Sequence, residues 1–148
     1  MEWYTLNHIA KMTGLTTRTL RNYLQTELLK GEKVDGVWRF SEEQLYAFMD
    51  HPTVRQGLHA KRNAIVNDFL LMDSKKENKA CVILDYCMEW EDAKWAVAFF
   101  CDRMKEAENE AVEFGMERHK NNIRLIISGP EPAVKDLMKR YYEEKEAR

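Results

Sequence analysis

The sequence lacks the features that mark secreted and membrane proteins. No uninterrupted apolar run approaches the roughly 20 residues that a membrane-spanning helix needs, so we expect no membrane partner. The first residues have neither the basic nor the apolar region of a signal peptide, and the three cysteines are an odd number. These absences predict a cytoplasmic protein whose thiols stay reduced.

Signatures of enzyme and metal chemistry are also missing. The sequence has no glycine-rich phosphate-binding loop, no convincing nucleophile–base pair and no Cys-x-x-Cys or Cys/His cluster at ligand spacing. We therefore expect no catalytic activity, no metal site and no cofactor. Cysteines without such partners usually pack in the core.

The charge of the chain is nearly balanced, and a formal net charge of −2 gives no overall sign of a nucleic-acid-binding protein. The two ends differ, however. Residues 1–40 contain six basic and four acidic residues, whereas residues 81–148 contain eleven basic and fifteen acidic ones. A basic N-terminal part joined to an acidic body fits a DNA-binding head followed by a part with another role.

Two short helices joined by a glycine turn are predicted at the N-terminus. Thr5 is a suitable cap for a helix over about Leu6–Met12, and Thr16 is a suitable cap for the next one. Gly14 between them supplies the positive φ that favours a helix end. Two helices joined by a short turn that contains glycine are typical of a helix-turn-helix.

A β-hairpin and a third helix are predicted to follow. Asp35 and Gly36 lie between β-forming residues and suit a two-residue turn, whose central residues both adopt positive φ. Ser41 and Gln44 then form a capping box at the start of a helix. The order helix, turn, helix, hairpin, helix is that of a winged helix-turn-helix, with the hairpin over residues 33–39 as its wing.

The stretch YTLNHIAKMTGLTTRTLRNYL (residues 4–24) resembles the opening of MerR-type regulators, whose pattern reads approximately T-I-x-x-A-K-x-T-G-V-x-x-x-T-L-R-Y-Y. WRFSEEQL (residues 38–45) resembles the family's Y-R-x-Y-S stretch. The resemblance covers about the first 50 residues. Asn22 stands where an aromatic residue is usual, Gly31 replaces a proline and Trp38 replaces the wing tyrosine. The resemblance implies a dimeric, DNA-binding transcription regulator.

The second helix, predicted over Thr17–Gln25, has a polar face at the spacing i, i+3, i+4, i+7 and Leu20 on the opposite face. In the major groove arginine pairs with guanine, and asparagine or glutamine with adenine. Free amides at a helix N-terminus favour phosphate. The predicted DNA-binding residues are Thr16, Thr17, Arg18, Arg21, Asn22, Tyr23, Gln25, Lys33 and Arg39, of which Arg21, Tyr23 and Arg39 are expected at the DNA backbone.

The rest of the chain predicts a linker helix and a small α/β unit. Apolar residues recur from Val54 to Met72 at helical spacing, with Lys61, Arg62 and Asp68 interrupting any strict heptad. A polar loop follows. The later predicted elements are a strand over 80–87, a helix over 90–107, a hairpin of 112–119 and 123–128 around Lys120-Asn121-Asn122, and a final helix over 134–141.

Residues 108–118 suit either a strand or a continuation of the preceding helix, and the sequence leaves this open. The predicted fold class is α+β. It comprises a winged helix-turn-helix over residues 1–52, a linker helix and loop over 53–79, and a small βαββα domain over 80–148 that resembles half of a ferredoxin-like fold.

A homodimer is expected, because a single small module rarely reaches regulatory affinity alone. We expect residues 80–142 to hold it, with the 54–72 helix contributing. Trp90, Trp95 and Phe99 are candidate residues for an aromatic small-molecule effector, as in multidrug-sensing relatives, or else form core. Two other functions stay open: an excisionase-type architectural DNA-binding factor, and a protein-interaction adaptor that has lost DNA binding.

Overall fold

A computed structural model describes residues 3–72, 75–119 and 122–148, which form an α+β protein with six α-helices and two antiparallel three-stranded sheets. The N-terminal elements are β1 (Trp3–Tyr4), α1 (Leu6–Thr13), α2 (Thr17–Gln25), β2 (Glu32–Val34), β3 (Val37–Ser41) and α3 (Glu42–Asp50). The later elements are α4 (Pro52–Leu71), β4 (Lys79–Tyr86), α5 (Trp90–Arg103), a 3-10 turn (Ala107–Asn109), β5 (Glu113–His119), β6 (Asn122–Pro130) and α6 (Glu131–Glu146).

The two helices of the helix-turn-helix begin at the predicted caps. The Thr5 hydroxyl accepts a hydrogen bond from the backbone amide of His8 at 3.2 Å. The Thr16 hydroxyl accepts one from the backbone amide of Thr19 at 3.1 Å. Gly14 has φ of +73° and ends α1 by donating its amide to the Ala10 carbonyl. The predicted capped helices and the glycine turn between them are therefore confirmed.

The hairpin of β2 and β3 closes through the predicted turn. Val34 lies opposite Val37, and the two residues between them have φ of 51° (Asp35) and 81° (Gly36). β1 pairs with the other edge of β3. A Cβ at Gly31, just before the hairpin, would lie 2.5 Å from the Phe40 ring. The Phe40 ring therefore leaves no room for a residue larger than glycine at this position.

The C-terminal sheet has the strand order β4-β6-β5, so β4 and β5 run parallel to each other with β6 antiparallel between them. Of residues 108–118, for which the sequence left strand or helix open, residues 113–118 lie in strand β5, whereas residues 108–112 belong to the 3-10 turn and the loop after it. α5 ends at Arg103 rather than at Ala107, because the Asn109 side chain donates to the Arg103 carbonyl at 2.9 Å and a 3-10 turn follows. The predicted turn residues Lys120 and Asn121 lie outside the described residues.

Helices cover both faces of this sheet. α5 and α6 pack on one face, where Val97 and Leu137 are fully buried, and α4 packs on the other, mainly against β5 and β6. The buried side chains of the N-terminal and C-terminal parts form one continuous cluster. The Tyr4 hydroxyl also donates to the Asp102 carboxylate at 3.0 Å. None of the described helices is both long enough and apolar enough to cross a membrane.

Candidate nucleic-acid interface

α2 presents a polar face to solvent. Leu20 is fully buried and fixes the rotation of the helix against the core. In the part of the chain that the structure describes, no carboxylate pairs with Arg18 or Arg21. The residues exposed on or just before this helix are Thr16, Thr17, Arg18, Arg21, Asn22 and Gln25.

The start of α2 is suited to an anion. Thr16 has extended backbone geometry, and its hydroxyl is occupied by the Thr19 amide. The first N–H groups of a helix have no partner within the helix, so the amides of Thr17 and Arg18 can donate to a phosphate oxygen. The predicted phosphate role of Thr16 and Thr17 thus has a local geometry that suits it.

An open groove of about 300 Å³ lies between α2, the start of α1 and the tip of the hairpin. Arg21 and Lys33 bring two positive charges to it, and Thr5 and Asn7 bring uncharged polar groups. We call it the head groove; its lining residues are Thr5, Leu6, Asn7, Arg21, Lys33, Gly36, Val37 and Trp38. A concave basic surface suits a sugar–phosphate backbone.

The floor of the head groove is aromatic. Trp38 is half-buried and stacks on the buried Phe40 ring, with 6.2 Å between centroids. The ammonium of Lys33 lies 5.7 Å from the Trp38 ring centroid. Trp38 therefore packs the hairpin onto the head and at the same time holds Lys33 toward the groove.

The structure separates the two predicted wing contacts. In the hairpin, Lys33 lies opposite Trp38, and Arg39 lies opposite Glu32. Because successive strand residues point to opposite faces, Lys33 shares the face of the head groove and Arg39 lies on the other face. Arg39 is exposed and has an acidic cross-strand neighbour.

Tyr23 lies on the inner side of α2. It is half-buried, and its ring meets Phe48 edge-on at 5.6 Å between centroids. Its carbonyl accepts the amides of Leu28 at 2.9 Å and Leu29 at 3.1 Å, which ends the helix. The structure thus gives Tyr23 a clear packing role, while its expected backbone contact stays a prediction.

His8 completes the capping box beside the head groove. Its Nδ1 accepts the Thr5 amide at 3.0 Å. Burial, and to a lesser extent the nearby Lys105, lower the pKa of His8. Sequence reasoning identified Thr5 only as a cap and missed Asn7. Thr5 and Asn7 both lie at the start of a helix, which the sequence does show. That this helix start lies beside Arg21 is a property of the fold and cannot be read from the sequence.

Of the predicted ligand-binding residues, Trp95 lines a cavity of about 150 Å³. Its ring stacks on Tyr141 at 5.4 Å, and the Arg148 guanidinium lies 4.5 Å from its centroid. Phe99 is only 4% exposed and lies in the core, off this cavity. The side chain of Trp90 lies outside the described part. Across the described ranges, no group of three His, Cys, Asp or Glu side chains is placed to hold a metal.

Residues 4–49 match the family model of MerR HTH family regulatory proteins. The match covers the whole of α1 and α2, the hairpin and nearly all of α3. The N-terminal part of the chain is therefore a MerR-type helix-turn-helix domain. No curated protein and no solved structure matches the chain.

Proposed function

We propose that the chain is a sequence-specific transcription regulator that reads the major groove of DNA with α2 and touches the backbone with the β2–β3 hairpin as a wing. The observation that carries the proposal is that Arg18 and Arg21 are exposed on α2, with no carboxylate of the described residues paired to them, beside a groove that also holds Lys33. The membership of residues 4–49 in the MerR HTH family supports the DNA-binding role.

The side chains divide into two roles. Arg18, Asn22 and Gln25 project from the exposed face of α2 and are the base-reading candidates. The α2 N-terminus, Arg21 and Lys33 line surfaces that suit phosphates, so they position the domain without reading sequence. Arg39 stays a wing candidate, but its face beside Glu32 makes Lys33 the stronger one.

Different parts of the chain take different roles in this proposal. Residues 1–52 bind DNA, residues 53–79 link, and residues 80–148 form a homodimer and hold an effector in the cavity beside Trp95. The order β4-β6-β5, with α5 between β4 and β5 along the chain, is that of the first three strands of a ferredoxin-like fold, which supports the predicted fold of the C-terminal domain. The continuous core gives the C-terminal part a direct mechanical connection to the head.

Selection of bound duplexes from random DNA by the full chain tests the proposal. We expect an enriched motif with two-fold symmetry, because two heads on a symmetric dimer read two half-sites. Arg18→Ala should weaken binding to the selected site by about 1–3 kcal/mol and relax one base position. Lys135→Ala, an exposed lysine on α6, is the matched control and should change nothing.

Two outcomes would contradict the proposal. Failure of the selection to enrich any motif would refute sequence-specific binding. Absence of any salt-dependent DNA affinity would favour a protein-interaction adaptor, because phosphate contacts always release counterions.

A further inference from the structure

β4 is an edge of the C-terminal sheet with a free side. It pairs along its whole length with β6, from Lys79 opposite Pro130 to Tyr86 opposite Ile123, and no strand of the described residues lies on its other side. The register runs without a bulge, and residues 80–84 contain no charge, proline or glycine. Long, regular, apolar edges of this kind are templates for another strand.

Burial along β4 is incomplete. Each of its eight residues keeps some exposure, whereas most residues of the central strand β6 are buried. Ile83 is 48% exposed in the middle of the strand. It lies on the sheet face that α4 covers mainly over β5 and β6, so the β4 side of that face stays open.

We infer that β4 is the homodimer interface, and that the β4 strands of two copies pair antiparallel about a two-fold axis at Val82. The pairing joins the two sheets into one sheet of six strands. The inference rests on the proposed function, from which the need for a symmetric dimer comes. The strand that pairs with the free edge of β4 is the β4 strand of a second copy of this chain. The register of this pairing follows from the sequence of β4.

Matching of faces limits the register. Residues that oppose each other across an antiparallel pair lie on the same face of the sheet, so the two-fold axis passes through a residue and not between two residues. The candidates for a pairing that uses most of the strand are Cys81, Val82 and Ile83.

Charge then selects among the three axes. An axis at Val82 places Lys79 opposite the partner's Asp85, and symmetry repeats this pair on the other side. An axis at Cys81 places Asp85 opposite the partner's Glu77, which sets two like charges against each other. An axis at Ile83 places Asp85 opposite the partner's Cys81 and pairs no charges.

The other pairs in the Val82 register are apolar. Ala80 lies opposite the partner's Leu84, and Cys81 lies opposite the partner's Ile83, which covers that exposed side chain. Asp85 already accepts two hydrogen bonds from Arg124, at 2.8 and 2.9 Å. The partner's Lys79 adds a second cation to this carboxylate, and cross-strand pairs of opposite charge are favourable.

Sedimentation of the full chain without DNA tests the interface. We expect the unmodified chain to be dimeric at micromolar concentration and Ile83→Lys to weaken self-association at least tenfold. The matched control is Leu71→Lys, which changes an even more exposed apolar residue, 76% exposed, at the end of α4. It should stay dimeric, and circular dichroism should show that both variants are folded. A dimeric Ile83→Lys variant, a monomeric Leu71→Lys variant or a monomeric unmodified chain would each overturn the inference.

A disulfide tests the register. Opposing residues lie about 4.5 or 5.5 Å apart between Cα atoms, within the range that a disulfide spans. In a Cys87→Ser background, Ile83→Cys should give a covalent dimer on mild oxidation, with the bond joining the introduced thiol to the partner's Cys81. Adding Cys81→Ser should abolish the cross-link, and Cys87→Ser alone should give none, because a cross-link in that variant would join Cys81 to the partner's Cys81 and place the axis at Cys81. A cross-link that persists would place the axis at Ile83, and no cross-link in the first variant would remove β4 from the interface.

The test separates the interface from the proposed function. A dimer that depends on Ile83 but has no DNA affinity would refute the DNA-binding proposal and leave the interface standing. A DNA-binding dimer that dissociates on Leu71→Lys would refute the interface alone.

Discussion

The Arg62 side chain of α4 crosses the C-terminal sheet directly over Gly115 of β5. A Cβ at Gly115 would lie 2.6 Å from Arg62 Cγ. The guanidinium donates to the Met116 carbonyl, and its Nε lies 3.6 Å from a Glu117 carboxylate oxygen. Burial lowers the pKa of Arg62 to about 10, against the opposing attraction of Glu117. Arg62 therefore stays charged at neutral pH, and α4 meets the sheet around a buried ion pair.

Gly115→Ala should destabilise the protein, because the added methyl group displaces Arg62 from its place on the sheet. Overpacking of this kind costs about 1–3 kcal/mol, which urea denaturation measures. Gly57→Ala is the matched control, since a Cβ at this α4 position meets nothing within 4 Å. It should stabilise by about 0.5–1 kcal/mol through helix propensity. Equal effects of the two substitutions would argue against the close approach of Arg62.

Arg62→Met should be more severe than either glycine substitution. It leaves Glu117, which is 5% exposed, without its buried cation, although His59 Nδ1 still lies 2.5 Å from the carboxylate. Breaking a buried pair from one side costs about 3–5 kcal/mol. The double variant Arg62→Met with Glu117→Leu should recover most of this loss, because no buried charge is left. Additive losses in a double-mutant cycle would show that the two groups do not interact.

The stability of the head should fall as the pH drops below the ordinary pKa of histidine. The pKa of His8 is lowered in the folded protein. As the pH falls, His8 is therefore protonated in the unfolded chain before it is protonated in the folded one, and this stabilises the unfolded state. The contribution of His8 is therefore present above about pH 6.5 and is lost as the pH falls through the range between the unfolded and the folded pKa. Protonation also removes the Nδ1 acceptor of the Thr5 amide.

His8→Gln provides the test of this pH dependence. Glutamine at this position can keep the capping box, as Gln44 does with Ser41 at the start of α3. Thermal unfolding at pH 7.5 and pH 5.5 should show a smaller loss of Tm in His8→Gln than in the unmodified chain. The same loss in both proteins would assign the pH dependence to other groups.

The N-terminal helix-turn-helix and hairpin were predictable from the sequence, because the residues that determine them act on near neighbours along the chain. Thr5, Gly14 and Thr16 act on amides within a few residues of themselves, and the Asp35-Gly36 turn is set by its own two φ angles. The rotation of α2 also follows from its own spacing. Such features need no distant partner, so composition and spacing are enough to place them.

Features that depend on distant residues were not predictable. In the sequence, Arg62 interrupts the apolar stripe of α4 and is expected to be exposed to solvent. In the structure it is buried, because the absence of a side chain at Gly115 leaves room for it. The end of α5 depends on the Asn109 side chain. Phe99, a ligand candidate by its spacing, lies in the core because α6 brings Tyr141 against it at 5.5 Å.

Lys33→Ala should weaken DNA binding to every sequence by a similar factor. Lys33 lies on the head-groove face of the hairpin with Arg21, where only the phosphate backbone is expected to lie. Loss of one phosphate contact lowers the slope of log K against log salt by about 1 without changing base preference. Arg39→Ala is the comparison, because it removes a charge from the opposite face of the same hairpin. The Arg39→Ala variant should lose less DNA affinity than Lys33→Ala, and its slope of log K against log salt should change less. A Lys33→Ala variant with an unchanged salt slope, or with an altered base preference, would contradict the backbone role of the head groove.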